Sequence, residues 1–212
     1  MEHESFEKLK TGTTTLALIC KDAVVLAADR KATMGYLIAS KDFKKIFQID
    51  EKLAITTAGS VGDAQVLERH LKAELKLYKL QENRTLNVKG AATLLANILY
   101  SRKYFPYWVQ ILIGGYDDSP HVYSLGPDGS IIEEKKYFST GSGSPFVFGV
   151  LEKDYKDNMT AEEAKKLAIK AVHAATQRDI ASGGTGIDCL VIDKSGVKEI
   201  LDAEVQSILS KN

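Results

Sequence analysis

From Thr14 onward, β-branched and apolar residues crowd into short runs broken by small polar clusters. Thr14 to Cys20 and Ala23 to Ala28 read as a hairpin turning at Lys21-Asp22, because β-branched side chains pack well on a pleated surface and a two-residue polar break suits a tight turn. Lys45 to Ile49 and Leu53 to Thr57 read as a second pair around Asp50-Glu51-Lys52. The period then lengthens. Ala64, Leu67, Leu71, Leu75 and Tyr78 share one helical face, and Ala91, Leu94, Leu95, Ile98 and Leu99 share another behind the N-cap Asn87, as the spacing of an amphipathic helix requires.

Strands resume at Gln110 to Gly114, His121 to Leu125 and Ser130 to Glu134, the last two joined by Gly126-Pro127-Asp128-Gly129. After Gly141-Ser142-Gly143-Ser144 the pattern gives a short helix and then a longer one. Thr160 and Glu163 form a capping box for the longer helix, which buries Ala164, Leu167, Ala168, Ala171, Val172 and Ala175. Ile187 to Ile192 and Val197 to Leu201 end the series as strands turning at Lys194-Ser195-Gly196. Strands and helices come in groups, not in βαβ alternation, so the expected class is α+β. The expected architecture is a four-layer αββα sandwich: two stacked antiparallel sheets with helices on both outer faces.

Length and charge narrow the setting. A chain of 212 residues is one domain with a substantial core. Acidic and basic residues balance at 28 each, which removes any electrostatic case for nucleic acid or a membrane surface as partner. Cys20 and Cys189 each sit inside an apolar run and read as buried thiols of a reducing compartment. The four histidines are scattered and neither cysteine has a near partner, so no metal is expected. The charged first dozen residues lack the apolar stretch of a secretory signal, and no run approaches a membrane span. The expectation is a cytoplasmic, soluble protein.

The candidate chemistry begins at Gly12-Thr13-Thr14-Thr15. A threonine hydroxyl holds its proton too tightly to attack a carbonyl unless a base stands beside it. An α-amine, with a pKa of about 7.7–8.0, is such a base, and Thr13 has one only if the chain is cut before it. Gly12 suits that cut because it has no Cβ to obstruct attack on its carbonyl. Lys45 shares a strand face with Phe43 and Phe47, an apolar setting in which its ammonium needs a carboxylate, and Asp29 is the candidate. Ser182-Gly183-Gly184-Thr185-Gly186 lacks the lysine and preceding strand of a phosphate loop, and Gly141 to Ser144 lacks the context of a serine nucleophile elbow.

Taken together, Gly12 to Thr15, Val24 to Arg30, Lys41 to Ile49, Thr57-Ala58-Gly59, Gly141-Ser142-Gly143 and Arg178 to Gly183 resemble β-type subunits of the proteasome core particle, most closely archaeal ones. These belong to the N-terminal-nucleophile hydrolase superfamily. The resemblance implies a leader, residues 1–12, removed by autoprocessing at Gly12-Thr13, and a single catalytic domain over 13–212. It implies that Thr13 is nucleophile and base, that Lys45 tunes it and Asp29 holds Lys45, and that the Gly59 N–H stabilises the oxyanion. Ser142, Asp179 and Ser182 would position the threonine amine and a water. Thr33 would bind substrate backbone, and Ala32, Phe43, Phe47, Thr57 and Val61 would wall an uncharged pocket for the residue before the cut.

No cofactor is implied. The implied partners are α subunits and other β subunits in stacked seven-membered rings, a regulatory ring ATPase acting through the α rings, and unfolded protein as substrate. Two features depart from the pattern: Ala23 stands where glycine is common, and the Gly184 to Gly186 loop is slightly long. The main rival is a non-catalytic ring subunit, which loss of the threonine, aspartate or lysine would signal; all three are present. A bacterial proteasome-like peptidase is disfavoured by the longer chain and the Arg178 to Gly183 run. A small-amide hydrolase of the same superfamily would be expected to form its pocket without ring contacts.

Overall fold

A computed structural model describes residues 12–210; residues 1–11 of the expected leader lie outside the described residues. The described chain opens with strands β1 (Thr15–Ile19) and β2 (Ala23–Asp29), a hairpin of β3 (Ala32–Met34) and β4 (Leu37–Ser40), then β5 (Ile46–Asp50) and β6 (Leu53–Gly59). Helices α1 (Val61–Glu82) and α2 (Val88–Ser101) follow, then β7 (Val109–Tyr116), β8 (Pro120–Leu125), β9 (Ile131–Glu134) and β10 (Tyr137–Thr140). The last third holds α3 (Ser144–Asp154), α4 (Ala161–Thr176), β11 (Ile187–Asp193), β12 (Gly196–Glu199) and α5 (Asp202–Leu209). No helix among the described residues is long and apolar enough to cross a membrane.

Two five-stranded sheets form, ordered β10-β1-β2-β11-β12 and β5-β6-β7-β8-β9, and every neighbouring pair is antiparallel. The burial of β2 shows how they stack. All seven of its residues are buried: Val25 and Ala27 meet α3 and α4, while Val24, Leu26 and Ala28 meet the second sheet. A strand covered on both faces reads as an unbroken apolar run, which is why Ala23 to Ala28 does not alternate. On the far side, Ile55, Ile111 and Ile113 pack under Leu67, Leu71, Leu95 and Leu99 of α1 and α2. The order of layers is therefore helices, sheet, sheet, helices, the expected αββα sandwich.

Local chemistry fixes the helix starts. Asn87 Oδ1 accepts from Gly90 N at 2.8 Å, and Thr160 with Glu163 closes the expected capping box. Cys20 and Cys189 are both buried free thiols. Between the sheets, Thr56 Oγ1 on β6 donates to Thr15 Oγ1 on β1 at 3.0 Å. Thr15 Oγ1 lies 2.7 Å from Thr140 Oγ1 on β10, and all three residues are buried. This hydroxyl chain ties the sheets together directly beyond Thr13.

Four elements go beyond the sequence expectation. The β3–β4 hairpin and β10 are three or four residues long, too short for a period to register. Helix α5 buries only Val205 along its length, so it has no apolar stripe to read. The expected final strand, Val197 to Leu201, ends instead at Glu199, and the chain turns into α5. Arg30 pins that helix: Nε donates to Asp188 at 2.8 Å, and its terminal nitrogens reach Asp202 at 2.6 and 3.0 Å.

Candidate active site

The strands deliver their chemistry to one edge of the sandwich. Thr13 precedes β1 and Asp29 ends β2, both in the first sheet, while Lys45 leads into β5 and Gly59 ends β6, both in the second. One small cavity is lined by Gly12, Thr13, Lys45 and Gly59 together. Lys45 Nζ donates to Asp29 Oδ1 at 2.6 Å, and the two side chains are 3% and 0% exposed. This is the pairing that an apolar setting demands of a lysine.

Asp29 is held from every side. Its Oδ1 also accepts from Thr14 N at 2.8 Å, and Oδ2 accepts from Gly183 N at 2.9 Å and Lys31 N at 3.1 Å. Burial pushes the Lys45 ammonium below its ordinary pKa of 10.5, and the attraction of Asp29 opposes that shift without cancelling it.

A second chain of polar groups approaches Thr13 from the other side. Thr13 N donates to Ser142 Oγ at 3.2 Å, and Ser142 Oγ donates to Asp179 Oδ2 at 2.6 Å. Ser182 Oγ donates to the same Asp179 oxygen at 2.5 Å. Since that uses the only hydroxyl proton of Ser182, Thr14 Oγ1, 2.6 Å away, is the donor in their contact. Thr14 thus joins both networks, its amide to Asp29 and its hydroxyl to Ser182. Thr13 Oγ1 itself donates to the Gly12 carbonyl oxygen at 2.7 Å.

Gly59 must be glycine. Its φ of +134° disfavours any L side chain, and a Cβ there would lie 2.1 Å from the Trp108 carbonyl oxygen. Ala32, Phe43, Thr57 and Val61 wall the cavity, and Gly12 N donates to Thr33 Oγ1 at 3.0 Å.

Phe47 is a correction. It does not line the cavity but packs into the core beneath α1 and α2. Alternation gives Lys45 and Phe47 the same face, yet β5 begins only at Ile46, and two residues of rise carry Phe47 away from the edge. Ala64 of α1 takes a place in the wall. Its signal was available, since Ala64 stands one helical turn beyond Val61. Thr14, Lys31 and Gly183 also serve the site through backbone amides, which leave no mark on side-chain type; only the position of Thr14 inside the threonine run hinted at it.

A four-layer αββα sandwich is the architecture of the N-terminal-nucleophile hydrolases, and here it gathers a threonine, a buried lysine–aspartate pair and a glycine at one edge. The comparisons with known proteins are more specific. The family described as "Proteasome subunit" matches residues 9–192. A "Proteasome subunit beta" of Methanocaldococcus vulcanius is 50% identical over 203 residues, spanning 95% of this chain and 91% of the relative. Another from Methanosarcina barkeri is 50% identical over 203 residues, spanning 95% and 96%. One from Ferroglobus placidus is 48% identical over 206 residues, spanning 97% and 98%. The chain belongs to the proteasome subunit family.

Proposed function

We propose that this chain is a catalytic β-type subunit of a proteasome core particle, a threonine endopeptidase that frees its own nucleophile by cutting between Gly12 and Thr13. The observation that carries the reading is Lys45, almost wholly buried and paired with Asp29, lining the same cavity as Thr13. A lysine kept charged inside a protein costs desolvation, and its position beside a hydroxyl gives that cost a catalytic use.

While joined to Gly12, the Thr13 nitrogen is an amide and cannot act as a base. Its hydroxyl nevertheless lies against the Gly12 carbonyl, so attack on that carbon is intramolecular and strongly favoured by proximity. The cavity, about 20 Å³, has room for roughly one water to carry the proton. The Gly12 acyl group shifts from the Thr13 nitrogen to Oγ1, which breaks the C–N bond and frees the α-amine; water then hydrolyses the ester, releasing the leader as a Gly12 carboxylate and restoring the Thr13 hydroxyl. That amine then takes the Oγ1 proton when a substrate carbonyl arrives. The Lys45 charge disfavours a second positive charge beside it and keeps the amine basic but unprotonated near neutral pH.

Ser142, held by Asp179, accepts a hydrogen bond from the amine and fixes its direction. The Gly59 N–H faces the developing oxyanion, a contribution of about 2.7–4 kcal/mol in comparable sites. Thr33, which accepts from the Gly12 amide, would accept from substrate backbone in the same way.

Such an unselective peptidase is safe in a cytoplasm only inside a closed chamber. The reading therefore includes stacked seven-membered rings of β and α subunits, unfolded substrates and a ring ATPase at the α rings. N-terminal sequencing and intact mass of active particles test it: the mature chain should begin at Thr13, and Thr13→Ala should keep Met1 through Gly12 and hydrolyse nothing. An active particle carrying residues 1–12 on every β chain would rule the mechanism out.

A further inference from the structure

Gly12 carries the carbonyl that Thr13 attacks, and it is held at three points. Its oxygen accepts from Thr13 Oγ1 at 2.7 Å, its amide donates to Thr33 Oγ1 at 3.0 Å, and its Cα lies against Ala181 in the turn after α4. An L side chain on residue 12 would have to leave Cα into Ala181. A Cβ there would stand 1.6 Å from Ala181 Cβ, 2.7 Å from its Cα and 3.0 Å from its carbonyl oxygen. Non-bonded carbons pack at about 3.5–4.0 Å, so the first of these is an overlap and not a tight contact.

Ala181 is not free to back away. Its own amide donates to Asp179 Oδ1 at 3.3 Å. On either side, the Ile180 carbonyl accepts from Lys31 Nζ at 2.6 Å and the Gly183 amide donates to Asp29 Oδ2 at 2.9 Å. The carboxylates gripping this turn are the same two that act on the site: Asp179 holds Ser142 against the Thr13 nitrogen, and Asp29 holds Lys45. Making room at residue 12 by moving the turn therefore disturbs both networks. Making room by moving residue 12 itself lifts its carbonyl off Thr13 Oγ1.

We propose that Ala181 is the specificity-determining residue of the self-cut, admitting glycine alone at the position before Thr13. The inference rests on the autoprocessing reading above and adds to it a residue and a selectivity. Two selectivities then meet at one nucleophile. Ala181 takes no part in the wall of the substrate cavity, which Ala32, Phe43, Thr57 and Val61 help to form. A side chain that this cavity accepts from a substrate therefore has no place on residue 12, where the chain is tethered to the nucleophile and turned toward Ala181.

The test mixes the full-length chain with its α subunits, isolates assembled particles by size and follows loss of residues 1–12 over time by intact mass. Gly12→Ala should slow the cut at least about tenfold, because small misplacements of reacting atoms are costly. In Gly12→Ala/Ala181→Gly the 1.6 Å overlap is gone and the 2.7 Å approach to the backbone remains. This double variant should be cut at least about threefold faster than Gly12→Ala, a partial recovery from coupled neighbours. Glycine at 181 only loosens the chain, so a merely structural role for Ala181 gives no recovery. Gly12→Ala/Ile180→Gly loosens the same turn at an exposed neighbour without clearing the overlap, and it should stay as slow as Gly12→Ala.

Recovery with Ala181→Gly and none with Ile180→Gly supports the assignment. A Gly12→Ala chain cut at the wild-type rate overturns it, as does an Ala181→Gly double variant no faster than Gly12→Ala, or equal recovery from Ile180→Gly. Should Gly12→Ala not assemble, Gly12→Ser in the same combinations decides, since it carries the same Cβ. The wild-type control separates the two readings: a wild-type particle that keeps residues 1–12 refutes autoprocessing and this inference with it, whereas a processed wild type with any of the contrary results above refutes the role of Ala181 alone.

Discussion

Removing either member of the Lys45–Asp29 pair should stop catalysis, but the two losses should differ sharply in stability. In Lys45→Met the aliphatic volume is largely kept, and Asp29 still accepts from the amides of Thr14, Lys31 and Gly183. The net cost is that of one charge-assisted hydrogen bond, partly offset by no longer burying an ammonium, so about 1–2 kcal/mol. In Asp29→Asn the four donors remain and face only one carboxamide oxygen. Its NH₂ must point at two of them, and Lys45 is left buried without a counter-charge. Breaking a buried pair in this way costs about 3–5 kcal/mol, a large share of the about 5–15 kcal/mol available to a domain. Urea unfolding of the isolated subunits gives the stabilities, and fluorogenic peptide turnover by assembled particles gives the activities. Lys45→Met proving as destabilising as Asp29→Asn would refute the idea that the backbone amides, not the lysine, hold the aspartate.

Three further outcomes are expected. Because the folded pKa of Lys45 lies below 10.5, the alkaline limb of kcat/KM should fall as pH rises through that lowered value. Stability should move the other way: between the folded pKa and 10.5 the unfolded chain binds more protons, so this lysine's contribution to stability rises with pH. An alkaline limb centred at or above 10.5 would contradict the assignment. A peptide panel should show apolar residues favoured over ionic ones before the cut, since Ala32, Phe43, Thr57, Val61 and Ala64 offer no charge and Lys45, which also lines the cavity, is already paired with Asp29; a clear acidic or basic preference is the contrary result. Gly143→Ala should lower kcat more than it raises KM, because the new Cβ would stand 1.8 Å from Thr14 Oγ1 and force it off Ser182; unchanged kcat would show that the Thr14–Ser182 contact does not position the nucleophile.

The sandwich was legible because its central strands and helices carry long periods: every residue expected on the buried face of α4, from Ala164 to Ala175, is buried, and Lys165 and Ile169 join them. The lysine–aspartate pairing was legible because burial of a charge has one common solution. What escaped was of two kinds. Short or exposed pieces such as β10 and α5 bury too little to imprint a pattern. Backbone donors such as Gly183 N act irrespective of side chain, so only folding reveals them. Phe47 failed for a third reason, in that facing the same way does not bring residues to the same place along a strand.

The pairing order of the first sheet has a consequence in time. Strand β1, which follows Thr13, lies between β2 and β10, and β2 lies against β11. Thr15 registers with Thr140, and Asp29 with Ile187. A ribosome delivers Thr13, Asp29 and Lys45 early, yet the strands that complete their surroundings emerge more than a hundred residues later. Pairings so distant in sequence close slowly. A half-made chain therefore carries Thr13, Asp29 and Lys45 but lacks β10 and β11, the strands that register with β1 and β2.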